Sequence, residues 1–326
     1  MAKSAVKASQ KTPAKQAAQK PEAQAEQRVE VQPVPSAMAA SLTLGDYALT
    51  LITKQYHRLV KQEAGVLEDA DPEYLHQMRV NSRRLRTALQ VFEPVVKLPK
   101  SAQAKRIQAL AKTLGSLRDL DVQIEALREQ YRPLISAAEH PATDQAIERL
   151  QARRKKAFKR VEQTLADAKY CDLKAAYKDW LAQPLYQPLA QISLAAALPD
   201  LLSPLLSELL LHPGWWAEPE DEETLHELRK TCKHARYQAE FFADFYGADF
   251  QGWVSELKQL QSDLGAVQDA HVLLGLLDLD PKRSPDLLQV IQNQRQTALL
   301  GWNSLKAKYT DAAFRYSLYQ MMLTPA

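Results

Sequence analysis

The stretch LHQMRVNSRRLRTALQVF at residues 75–92 returns as LHELRKTCKHARYQAEFF at residues 225–242, 150 positions later. Leu75, His76, Arg79, Arg86 and Phe92 recur as Leu225, His226, Arg229, Arg236 and Phe242, and Arg83 recurs as Lys233, which keeps the charge. Leu75, Met78, Ser82, Leu85, Leu89 and Phe92 alternate steps of three and four, the spacing of a buried helix face. His76, Arg79, Arg83 and Arg86 take the same steps one residue later, so they form a second stripe about 100° round the helix, beside the apolar seam. The copy repeats this with a seam of Leu225, Leu228, Cys232, Ala235, Ala239 and Phe242 and a stripe of His226, Arg229, Lys233 and Arg236. Two basic rails bordering a core are the first expectation.

The repeat extends beyond one helix. LGSLRDLDV at residues 114–122 returns as LGAVQDAHV at residues 264–272, keeping Leu114, Gly115, Asp119 and Val122 as Leu264, Gly265, Asp269 and Val272. An ungapped offset across two helices and their connection predicts an all-α protein built from two four-helix bundles related by a pseudo-twofold axis. The first bundle is expected at about residues 41–180 and the second at about 195–320.

Composition agrees with helices: only 9 Gly in 326 residues, with no run of β-branched alternation. Forty-two basic residues against 39 acidic give a net charge of +3, so an anion partner has to be read from local patches. Cys171 and Cys232 lie far apart and one sits on a seam, which favours a buried reduced thiol over a disulfide. No stretch approaches the roughly 20 apolar residues of a membrane span, and no signal-peptide core precedes the repeats, so a cytoplasmic protein is expected.

Residues 1–40 are rich in Ala, Lys, Gln and Pro and poor in large apolar side chains, a composition that predicts a disordered tail. Its Lys3, Lys7, Lys11 and Lys15 recur every four residues, but Pro13 interrupts any helix there. Leu44, Tyr47, Leu51, Tyr56 and Leu59 mark a first helix over residues 43–62. Asp71 is placed as N-cap and Pro72 as first residue of the basic helix. A third helix is expected over 101–131 and a fourth over 142–168, with 170–199 weaker, its Trp180, Pro184 and Pro188 marking a helix end and a connection between the halves. In the second half the expected helices are 198–211, 224–245, 252–277 and 285–308, with a short C-terminal helix.

A rail of three fixed positive charges over about 15 Å repels itself unless something negative lies alongside. An ordinary solvated charge run carries intrahelical partners, but residues 75–92 hold four Arg and no acid, and the charges border the seam instead of opposing it. The partner should therefore be a line of anionic groups such as phosphates, which Arg meets with paired donors. Asp119 and Asp269 would repel a polyanion, so their repetition suggests supports that fix the Arg or His rotamers of the preceding helix. Arg118 is replaced by Gln268 in the copy, which leaves its role open. Arg149, Arg153, Lys156 and Arg160 form a stripe on the fourth helix that extends the groove or stands as an exposed face.

The repeated LHxxR, its R/K-xx-R continuation and the LGxxxD turn resemble the CHAD family, the conserved-histidine α-helical domain, over about residues 42–320. The resemblance implies two pseudo-symmetric four-helix bundles around a basic cavity that binds inorganic polyphosphate, often on polyphosphate granules. Carried over by position, the ligand falls on His76, Arg79, Arg83, Arg86, His226, Arg229, Lys233 and Arg236, with no catalytic residue, metal or cofactor. His234 departs from the first copy, where Arg84 stands. The ExExK strand motif of the CYTH domain that often accompanies CHAD domains is not found in the sequence.

Two other readings compete. A metal-dependent phosphohydrolase of HD type would draw on His76, His226, His271, Asp119 and Asp269, but the chain has no adjacent His-Asp pair and His271 has Asp121 as its counterpart. A nucleic-acid-binding protein would use the same rails and want aromatics beside them, for which Tyr237 is the main candidate. Polyphosphate is the favoured partner, with nucleic acid less favoured and no membrane.

Overall fold

Thr43 opens the first helix by accepting a hydrogen bond from the Asp46 N–H at 3.1 Å. Helix α1, Leu44–Val60, then buries Leu44, Ala48, Leu51, Ile52, Tyr56 and Leu59. The computed structural model describes residues 42–277 and 284–325, so the 1–40 tail and its lysine series lie outside the described residues. A short α2, Glu63–Glu68, ends at Asp69, whose φ of 50° makes the left-handed turn into the basic helix. That helix, α3, spans Pro72–Val91, with Asp71 accepting from the Glu73 N–H at 2.8 Å and Pro72 in its first turn.

Helix α4 runs over Ala104–Glu125 and continues as a π-helical turn, Ala126–Tyr131. Helix α5 is His140–Ala166. The segment expected as a helix end and a connection begins with a full further helix, α6, Ala168–Ala182, started by Asp167, which accepts from the Lys169 N–H at 2.8 Å. Its buried Tyr170, Leu173, Tyr177 and Trp180 follow the helical step. The first half thus has five long helices where the sequence reading counted four. The second half comprises α7, Leu194–Leu210, α8, Glu222–Phe242, α9, Ala248–Leu277, α10, Pro285–Thr310, and α11, Ala312–Leu323. Helix α7 starts at Leu194, earlier than expected, and carries Pro199 and Pro204 inside it. All described residues outside these helices are turns, short helical turns and isolated bridges, with no strand.

Both seams are buried as read: Leu75, Met78, Ser82, Leu85, Leu89 and Phe92 in α3, and Leu225, Leu228, Cys232, Ala235, Ala239 and Phe242 in α8. Both cysteines are free thiols, Cys171 exposed and Cys232 buried. The order of neighbours is the same in each half: α1 on α3, α3 on α4, α4 on α5, then α7 on α8, α8 on α9, α9 on α10. One apolar cluster runs through both halves. Phe92 and Phe242, the last seam residues of the two copies, meet edge to face at 6.3 Å. The starts of α1 and α7 exchange backbone hydrogen bonds, Leu44 N–H to the Ile192 carbonyl at 2.8 Å and Leu194 N–H to the Leu42 carbonyl at 2.9 Å.

Another tie joins the halves through a buried acid. The Glu139 carboxylate accepts from the Asp286 N–H at 2.7 Å and the Leu287 N–H at 3.1 Å, capping α10 from the other half of the chain. Replacing Glu139 by Ala leaves both amides unpaired in a buried place, so Glu139→Ala is expected to lower unfolding stability by about 2 kcal/mol. Urea denaturation followed by circular dichroism measures this, and an unchanged midpoint would count against the cap.

No helix among the described residues is long and apolar enough to cross a membrane.

Candidate functional site

The LGxxxD motif explains itself once α3 and α4 are placed side by side. A Cβ at Gly115 would lie 3.4 Å from Arg79 Nε, so the glycine leaves room for the guanidinium to lie flat on α4. Asp119, one turn on, then accepts from Arg79 Nη2 at 3.2 Å. The copy repeats the arrangement: a Cβ at Gly265 would lie 3.3 Å from Arg229 Nη2, and Asp269 Oδ1 stands 3.9 Å from that nitrogen. Each arginine therefore lies over a glycine with an aspartate beside it, hydrogen-bonded in the first copy and at ion-pair distance in the second. The Nε of both Arg79 and Arg229 is buried without a hydrogen-bond partner among the described residues.

Replacing the glycine gains helix propensity and takes the space in which the guanidinium lies. Gly265→Leu is expected to displace the Arg229 guanidinium, weakening anion affinity about tenfold while the melting temperature stays level or rises. A thermal melt paired with a polyphosphate titration tests this, and unchanged affinity would show that the Arg229 rotamer does not matter.

One cavity of about 530 Å³ gathers the two rails. His76, Arg79, Arg83 and Arg86 of α3 line it together with His226, Arg229 and Lys233 of α8. Asp119 and Asp269 lie on its wall, where α4 and α9 add Arg118, Gln123 and Gln268. Lys230, His234 and Tyr237 complete the α8 side. Seven Arg and Lys side chains and three His therefore share the space with two acids. Such an excess of one sign in a partly closed cleft focuses a positive potential within it.

The crowding appears in the acid-base properties. Burial and the neighbouring Arg83 bring Arg79 down to about 10, which still leaves it charged. Burial, followed by Arg229, Arg83 and Arg79, lowers Lys233 to about 6, against a usual 10.5. Burial also lowers His226 and His234 below the usual 6.5. The cavity holds more positive charge than its own acids balance.

The CHAD domain family model matches residues 50–278, more than half of the chain. The chain belongs to the CHAD domain family. The crystal structure of the CHAD domain from the plant Ricinus communis is similar at a TM-score of 0.63 and 25% identity, covering 88% of this chain and 95% of that one. PptA from Streptomyces chartreusis is similar at a TM-score of 0.59 and 16% identity, covering 81% and 99%. Among curated proteins none matches the chain in sequence.

Within this CHAD domain several sequence expectations are corrected. Arg236 does not line the cavity: its guanidinium turns to Glu240, one turn on, at 3.0 Å, and covers the Tyr237 ring at 4.7 Å. The first copy has neutral Gln90 in place of Glu240, so nothing of that kind draws Arg86 away. The α5 stripe does not extend the site either. Arg153 and Lys156 are exposed and line no part of it, while Arg160 lines a separate cleft with Arg106, Lys112 and Lys169. His271 points elsewhere, with its ring on the Glu222 carboxylate.

Arg118 and Gln268 line the cavity from equivalent positions, one before each repeated aspartate, so the repeat carried the signal although their side chains differ. Lys230 and His234 had no such signal. They stand where the first copy has Val80 and Arg84, and Arg84 instead bonds Glu240 at 2.7 Å.

Proposed function

We propose that this CHAD domain binds inorganic polyphosphate, without turning it over, in the cavity between α3 and α8. The observation that carries the reading is the convergence of His76, Arg79, Arg83, Arg86, His226, Arg229 and Lys233 on one cavity whose only carboxylates among the lining residues are Asp119 and Asp269. A row of guanidinium and ammonium donors matches a flexible chain of phosphates, each unit of which offers oxygens to charge-assisted bonds. Membership of the CHAD family supports the same ligand, and association with polyphosphate granules in the cytoplasm follows as the setting in which such a binder works.

The two halves act as pseudo-twofold-related bundles in this reading, each giving one wall. Supporting it are the contact between Phe92 and Phe242, which differ by the repeat, and the two hydrogen bonds at the starts of α1 and α7, which the same offset of 150 exchanges with each other.

Tyr237 bears on the nucleic-acid reading. It is 5% exposed, and Arg236 lies over its ring, so it presents no open face for a base to stack on. The hydrolase reading asked His271 to join the site, and its ring is on Glu222 instead.

A competition titration with phosphate analysis tests the proposal. Labelled long-chain polyphosphate should be held in the presence of duplex DNA or RNA, with no phosphate released with or without divalent metal. Displacement by nucleic acid at lower concentration than unlabelled polyphosphate would reverse the ligand assignment. Metal-dependent phosphate release would make the protein an enzyme.

A further inference from the structure

We propose that Lys233 is an acylation site: acyl phosphates dock by their phosphate group on the arginines of the cavity and pass the acyl group to the Lys233 amine. The inference rests on the anion-binding reading of the same cavity and adds a second class of ligand and a covalent outcome.

The two rails differ in one respect that matters for reactivity. Arg83 and Lys233 occupy equivalent positions, but a guanidinium holds its proton throughout the physiological range whereas an amine can release it. Lys233 lines the cavity among Arg79, Arg83 and Arg229, and among the described residues it makes no ion pair or hydrogen bond. Its surroundings favour the free amine, since burial and those three guanidiniums bring the ammonium down to about 6. Lys230, one turn away on the same helix, also lines the cavity but is more than half exposed and paired with Glu227. It serves as an internal comparison.

A mixed anhydride of a carboxylic and a phosphoric acid fits both features. Its phosphate takes the place of one polyphosphate unit on the guanidiniums, which sets the acyl carbon beside the amine. The amine lone pair attacks that carbon, a C–N bond forms, the C–O bond to phosphate breaks, and the amine proton leaves with the departing phosphate. The products are an amide on Lys233 and hydrogen phosphate, with no other reactant needed. Acylation removes the Lys233 charge, so the modified protein should hold polyanions less tightly.

The test uses the full-length protein, acetyl phosphate at pH 7, and peptide mass spectrometry of every lysine over time. A larger free-amine fraction outweighs a weaker nucleophile, so Lys233 should be acetylated about tenfold faster than Lys230. A neutral acetylating ester should show a smaller preference for Lys233, because nothing anchors it. Pyrophosphate and long-chain polyphosphate should each protect Lys233 and leave Lys230 unaffected. Acetylation at Lys233 no faster than at Lys230 overturns the proposal, and an equal preference with the neutral ester overturns phosphate docking. Protection by pyrophosphate but not by polyphosphate would leave the modification site standing and sink the polyphosphate reading.

Discussion

Changing Arg79, Arg83, Arg229 and Lys233 together to Ala should weaken long-chain polyphosphate binding by about 1,000-fold or more, with the fold intact. Each charge-assisted contact contributes on the order of 1.5 kcal/mol, and four of them, even if partly redundant along a repetitive ligand, exceed the 4 kcal/mol that such a loss represents. The same variant should unfold at an equal or higher temperature than the wild type in the absence of ligand. The reason is electrostatic: burial and mutual repulsion pull Arg79 and Lys233 below their ordinary values.

The value of Lys233 in the folded chain, about 6, lies below that of the unfolded chain. Folding therefore carries a cost that is absent where both states are neutral, grows as pH falls through the unfolded value, and is full below the folded one. At neutral pH most of that cost is present, so removing the amine relieves it. Stability surrendered at a binding site in this way is a common trade. Calorimetric melting alongside fluorescence titration reads both quantities. A variant that melts well below the wild type would show that these side chains hold the fold, and unchanged affinity would remove them from the site.

How much of this was legible beforehand differs from residue to residue. The seams were, because Leu75 to Phe92 and Leu225 to Phe242 alternate at the helical step and nothing in the tertiary structure overrides it. The clamp of Gly115 and Asp119 on Arg79 was half legible: the aspartate's role follows from its charge, whereas the glycine's appears only when the guanidinium is seen lying on it. Arg236 was misread because its neighbour one turn on, Glu240, breaks the repeat at Gln90, and a motif carried over by position does not register such local competition. Helix α6 was legible only as a helix end before a connection, although Tyr170, Leu173, Tyr177 and Trp180 mark it, since Pro184 and Pro188 stand just beyond. The convergence of the rails was not contained in either helix. It depends on which faces the loops bring together, and on Phe92 meeting Phe242.

The second large effect is on pH. Polyphosphate affinity should fall by up to about tenfold per pH unit above pH 6, and Lys233→Arg should flatten most of that slope. Facing Lys233 are His76, Arg79, Arg83 and Arg86 on α3, Arg118 and Asp119 on α4, and Asp269 on α9, with His226, Arg229, Lys230 and His234 on its own helix. Cations outnumber acids on α3 and on its own helix and balance them on α4, so the free amine is favoured until a polyanion arrives and reverses the local potential. Binding of a long polyanion then draws in a proton, whereas one acyl phosphate group does not reverse the surplus of Arg and Lys and leaves the amine free to react. Below the free-state value the ammonium is already present and affinity is at its maximum; between the free and bound values each unit of pH removes one factor of ten. From pH 6.5 to 8.5 the wild type should lose up to about 100-fold. Burial also lowers His226 and His234, so their proton uptake adds to the slope at its acid end, and that part should survive in Lys233→Arg. Ionic strength has to be held constant, because counterion release alone changes the affinity of any polyanion site. Isothermal calorimetry in two buffers of different ionisation heat counts the protons directly. Lys233→Arg should take up about one fewer proton than the wild type near pH 8 and bind more tightly there. Equal proton uptake in the two proteins would mean that Lys233 is already charged in the free cavity, and the folding cost described above would have to be abandoned.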